Sequence, residues 1–93
     1  MKHFIIVKFN NSVKIQDIVE PIKKLFSNAL DINGVSKIEV YTSNSDKSNR
    51  HDIMIEMLLT KGALEVFDNS ETHRHWKAEY DKYIMDKTIF DCE

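Results

Sequence analysis

Residues 51–76 read HDIMIEMLLTKGALEVFDNSETHRHW. From His51 to Leu59 the chain is dense in long and branched apolar side chains, the make-up of a strand. Alternation puts His51, Ile53, Ile55, Met57 and Leu59 on one side and Asp52, Met54, Glu56 and Leu58 on the other, so neither side is cleanly polar. Thr60-Lys61-Gly62 punctuates the run, and Ala63, Leu64 and Phe67 follow at helical spacing. Asn69-Ser70 interrupts this short helix and caps a second piece, expected from Glu71 to about Lys82 with Trp76, Tyr80 and Tyr83 inward. A buried strand thus runs into a broken helix that carries His73, His75 and the single tryptophan.

Upstream, Lys2 to Phe9 has strand composition and stops at Asn10-Asn11, with His3, Ile5, Val7 and Phe9 on one side and Phe4, Ile6 and Lys8 on the other. Ser12 is placed to cap a helix in which Ile15, Ile18, Val19, Ile22, Leu25, Phe26, Ala29 and Leu30 form one stripe. Pro21 interrupts its backbone bonding, which predicts a bend or a separate first turn, and Asn33-Gly34 ends it. Val35 to Tyr41 alternates as a second strand, and the polar run Thr42–Arg50 reads as a connecting loop. Met85 to Cys92, with Thr88, Ile89 and Phe90, closes the chain as a fourth strand.

The order β-α-β-β-α-β over residues 1–93 is the ferredoxin-like α+β plan in one domain: a four-stranded antiparallel sheet with its helices on one face. The other face is left bare. Phe4 and Ile6, with Ile53, Ile55 and Met57, are expected to keep it apolar, and an apolar face of that extent marks contact with another chain. The expectation is a homodimer joined through the sheet face.

Composition narrows the function classes. With 13 Lys and Arg against 15 Asp and Glu, the formal charge is −2 and there is no basic block, which argues against a nucleic-acid partner. Nothing approaches the ~20 apolar residues of a membrane span, and Phe4-Ile5-Ile6-Val7 is too short for a signal peptide. One cysteine, Cys92, permits no internal disulfide, in keeping with a reducing, cytoplasmic setting. His73 and His75 stand about 200° apart around a helix, so no metal site is expected, and nothing calls for a cofactor. Glu56, mid-strand among apolar neighbours, needs a partner, with Lys87, Lys8 or a histidine as candidates.

At this point the chain resembles the stress-responsive A/B barrel (Dabb) family of the dimeric α+β barrel superfamily. The resemblance rests on Lys2-His3-Phe4-Ile5-Ile6-Val7-Lys8-Phe9, Ile32-Asn33-Gly34-Val35, Asp52, His73 and Ile89-Phe90-Asp91, and it spans nearly the whole chain. It implies dimers whose sheets form a barrel, with a pocket in each subunit between sheet and helices and with His3 and His73 facing it. In a plant polyketide-cyclase branch of the family a tyrosine–histidine pair closes the substrate. His73 is the counterpart of that histidine, and Phe67, without a hydroxyl, stands at the tyrosine's place.

The candidate pocket is therefore Ile5, Val7, Leu25, Phe26, Asp52, Met54, Phe67, Trp76 and Ile89 around His3 and His73. A mostly apolar cavity with a few polar groups suits a small apolar or aromatic ligand. Histidine also titrates near neutrality, so His73 is the candidate general base of a cyclase-like or cofactor-free oxygenase-like reaction, with His3 assisting and Asp52 or Glu56 as orienting carboxylate. In a third reading these side chains fill a core and the barrel serves assembly alone.

Overall fold

A computed structural model describes all 93 residues. The elements are β1 (Lys2–Phe9), α1 (Ile15–Ser27), β2 (Val35–Thr42), β3 (Ile53–Leu59), α2 (Lys61–Asp68), α3 (Glu71–Tyr80) and β4 (Ile84–Cys92). Short 3-10 turns at Asn28–Asp31 and Asp81–Tyr83 extend α1 and α3. The strands lie in the order β2-β3-β1-β4, each pair antiparallel, which makes β2 and β4 the edges. This is the ferredoxin-like arrangement the element order predicts.

The helix starts follow the side-chain chemistry in two cases of three. Thr60 Oγ1 accepts the Ala63 N–H at 3.1 Å to open α2, and Ser70 Oγ accepts the His73 N–H at 3.2 Å to open α3. Ser12 does not cap α1: the helix begins three residues later behind Lys14, whose side chain makes no cap bond. The Ser12 N–H is engaged instead by Asn10 Oδ1 at 2.9 Å, which turns the chain before the helix can start. The helix runs unbroken through Pro21 and ends through its 3-10 turn ahead of Asn33-Gly34. Gly34 adopts φ +99°, and a Cβ there would lie 2.7 Å from Thr60 Oγ1, so this glycine lets the β2 entry pass directly against the start of α2.

Parity sorts the two faces. His3, Ile5, Val7 and Phe9 of β1 and Ile53, Ile55, Met57 and Leu59 of β3 all point to the helices and are buried. Between sheet and helices Phe26 meets Phe67 and Trp76 at ring-centroid distances of 5.9 and 5.2 Å, and none of the three rings is more than 1% exposed. The bare face therefore differs from expectation. Ile53, Ile55 and Met57 belong to the core, and the apolar residues that accompany Phe4 and Ile6 are Met54 and Leu58, with Phe90 beside Phe4 at 6.4 Å. Glu56 lies on this face as well. It accepts the Tyr41 hydroxyl at 3.1 Å and sits 3.6 Å from Lys37 Nζ, so its partners come from β2 rather than from Lys87, Lys8 or a histidine. That carboxylate beside the phenol holds the Tyr41 pKa above its ordinary value.

Two substitutions test this packing. Phe26→Ala removes the ring shared by all three helices and is expected to cost about 3–5 kcal/mol in urea unfolding. Gly34→Ala forces both the left-handed backbone and a clash with Thr60, and is expected to cost more than the roughly 1 kcal/mol of an ordinary unfavourable φ. An unchanged unfolding midpoint for either variant would contradict the placement of that residue.

Candidate functional site

A half-open cavity of about 290 Å³ lies where the helices stop short of the β4 edge. The sheet supplies His3 and Ile5 from β1 and Lys87, Ile89 and Asp91 from β4, while α2 and α3 supply Leu64, Phe67, Asp68, His73 and Trp76. Antiparallel register explains the sheet side. His3 pairs with Asp91, Ile5 with Ile89 and Val7 with Lys87, so alternate β4 residues follow the inward face of β1. Being at the edge, they are less covered: Ile89 is 48% exposed whereas Ile5 is 3% exposed.

Two imidazoles reach the cavity in different states. His3 is 6% exposed, and its Nδ1 lies 2.5 Å from Asp91 Oδ1. His73 stands on the first turn of α3, edge-on to Phe67 with ring centroids 5.3 Å apart. Partial burial, the largest influence, holds its pKa below the usual histidine value. Lys77 and Lys87 act in the same direction, and Asp68 and Asp81 oppose them. His73 is therefore neutral at neutral pH, able to accept a proton or to donate one N–H.

Of the residues expected from sequence, His3, Ile5, Phe67, His73, Trp76 and Ile89 come together at this cavity. Val7 and Phe26 are fully buried and Leu25 nearly so, and all three pack in the core behind the cavity without lining it. Met54 sits on the other side of the sheet, because Ile6, its partner in register, also faces away from the helices. Asp52 lies beyond the start of β3, where its Oδ2 accepts the Phe9 N–H at 2.7 Å. It closes a strand end and is not a candidate to orient His3; Asp91 occupies that position. Sequence reasoning also missed Leu64, Asp68 and Lys87. For Lys87 the signal was present, since it lies two residues from Ile89 on one strand and must share its face.

The remaining histidines lie elsewhere. His75 is exposed on α3. His51 Nε2 is 3.4 Å from Asp86 Oδ2 at the strand ends away from the cavity, and no three His, Cys, Asp or Glu side chains are grouped to hold a metal ion.

No family model and no curated protein matches the chain. Solved structures do. A dimeric ferredoxin-like protein of unknown function from Thermobifida fusca matches with a TM-score of 0.78 at 15% identity, over 96% of this chain and 85% of that one. The fold is ferredoxin-like. A hydroxynitrile lyase from Passiflora edulis shares it, with a TM-score of 0.75 at 12% identity over 96% of this chain and 87% of the lyase. So does a Dabb family protein from Mesorhizobium loti, with a TM-score of 0.65 at 14% identity over 99% and 93% of the two chains, in keeping with the resemblance in the sequence. At such identities the likeness concerns the fold alone, and sites are argued from residues.

The depressed His73 pKa fixes a pH dependence. The unfolded chain holds that proton with a pKa near 6.5, and the folded chain holds it less tightly. Stability from this group is thus fully present above about pH 6.5, declines as pH falls below it, and stops declining once pH is below the folded value. In urea titrations between about pH 7.5 and about pH 5, His73→Gln should lose less stability than the parent. Identical declines in the two proteins would refute the assignment.

Proposed function

We propose that residues 1–93 form a single domain that binds a small apolar or aromatic molecule in the cavity between β4 and the α2–α3 pair. The observation that supports this is the cavity itself: Ile5, Leu64, Phe67, Trp76 and Ile89 supply apolar wall, and His3, His73, Asp68, Lys87 and Asp91 supply the polar points. Its volume is near the lower end of the range for small-molecule sites, which fits a compact, single-ring ligand.

The working unit in this reading is a homodimer joined through the bare sheet face. Phe4, Ile6, Met54, Leu58 and Phe90 favour it, since a 93-residue chain gains stability by covering such a face. The Thermobifida fusca protein of the same fold is described as dimeric. The lone Cys92 suits a reducing compartment such as the cytoplasm, and no helix is long and apolar enough to cross a membrane.

A second reading, an enzyme that uses His73 as general base, is favoured by one observation: two imidazoles, one held by a carboxylate, line the same cavity. The fold carries enzymatic activity in the Passiflora edulis hydroxynitrile lyase. Phe67 keeps this reading behind simple binding, because it offers no hydroxyl beside His73.

Trp76 is the only tryptophan and lines the cavity, so its fluorescence reports occupancy. A screen of single-ring aromatic compounds should yield ligands that quench Trp76 and raise the melting temperature, by about 2.7 kcal/mol of stabilisation at a hundredfold excess over Kd. A complete screen without such a compound would remove the binding reading. Phe4→Glu should convert the dimer to a monomer in light scattering, and a parent protein of monomeric mass would end the assembly proposal.

A further inference from the structure

The His3–Asp91 contact restricts more than the position of a ring. An ionised carboxylate only accepts hydrogen bonds, so Asp91 Oδ1 at 2.5 Å selects the tautomer of neutral His3 with its proton on Nδ1. The lone pair is then on Nε2. That atom has no hydrogen-bond partner in the chain, yet it is not sealed off as His51 Nε2 is, and His3 lines the cavity. An acceptor open to a half-open cavity is available to a ligand's donor, which takes the place of water there while Phe67, Trp76 and Ile89 cover the ligand's apolar part.

We propose that His3 and Asp91 form a proton-accepting pair that makes this cavity a site for small aromatic molecules bearing an acidic hydroxyl. The proposal rests on the binding reading above and names the ligand class. The charges around the site favour entry of the neutral hydroxyl over a preformed anion. Lys87 takes part in none of the chain's ion pairs and offers one positive charge, while Asp68 on the helix side and Asp91 on the sheet oppose a second negative group. Once bound, the hydroxyl donates to Nε2. If the proton moves, the O–H bond breaks and an Nε2–H bond forms, leaving an aryloxide beside an imidazolium that Asp91 stabilises through Nδ1–H. Lys87 then faces the new negative oxygen. No electrons are exchanged. Asp91 is a positioning residue in this account, acting through His3. His73 is less suited to the role, since no side-chain partner fixes its tautomer.

The test uses ring-nitrogen NMR of His3 in the intact protein and 4-nitrophenol as probe, whose visible phenolate band reports its own protonation. In the free protein, at a pH where His3 is neutral, the proton should reside on Nδ1, and Asp91→Asn should abolish that preference. Added 4-nitrophenol should quench Trp76, shift the His3 Nε2 resonance and show a larger phenolate fraction when bound than when free at the same pH. Asp91→Asn should weaken its binding by about tenfold, with recovery in Asp91→Glu, the size expected for a hydrogen bond to a polarised partner. A His3 proton on Nε2 in the free protein would overturn the proposal. So would 4-nitrophenol that quenches Trp76 without moving the His3 resonance, or aromatic ligands without a hydroxyl that bind while 4-nitrophenol does not; in both cases binding at the cavity would stand. Absence of binding by any aromatic compound would remove both readings.

Discussion

The contact of Phe26 with Phe67 and Trp76 sets where all three helices stand over the sheet. Three rings this bulky, each essentially inaccessible, need the full cover of the central strands, which an edge strand with Ile89 half exposed does not give. They settle over β1 and β3, where Ile5, Val7, Ile53, Ile55 and Met57 provide a dry floor. The inward face of β4 is consequently left partly open, and the cavity is what remains between it and the helices. Core packing and the candidate site thus have one cause.

The break between α2 and α3 matters for the same reason. Ser70 accepts its cap bond from His73, and its own hydroxyl donates to the Phe67 carbonyl at 2.6 Å. This joint fixes His73 edge-on to Phe67 at the cavity, with one ring in the core and the other half-buried. On the sheet side, the His3–Asp91 pair ties β1 to β4 at the other polar point. The cavity therefore has polar groups anchored on rigid elements, the arrangement that lets a small site select among ligands without a moving part.

Much of the fold was legible because it follows from alternation and punctuation. The runs that become β1 and β3, the broken helix at Asn69-Ser70 and the element order were all readable from side-chain type. Ser12 misled because its own backbone N–H is drawn into a local turn by Asn10 Oδ1 and the helix starts only at Ile15, a preference for the turn that a capping rule does not weigh. The bare face was assigned apolar residues from the wrong parity of β3, since both parities of that strand are hydrophobic and only cross-strand register separates Met54 from Ile55. The site was half legible. His3, Phe67, His73 and Trp76 carry distinctive chemistry, whereas the part of Asp91 depends on a pairing 88 residues apart along the chain, which no spacing encodes. Asp52, in contrast, precedes β3, a strand that lines no part of the cavity, and bonds to Phe9 at the far end of β1 from His3.

Packing leaves an accessible cavity between β4 and the α2–α3 joint, and its occupation by a small molecule is what we propose. The most direct measurement is a crystal structure of the untagged protein grown with the best Trp76-quenching aromatic compound. The account requires density for that compound between Ile5, Phe67 and Trp76, within hydrogen-bond reach of His3 or His73. A structure in which Leu64 and Phe67 close over Ile89, with the compound bound elsewhere or absent, would contradict it.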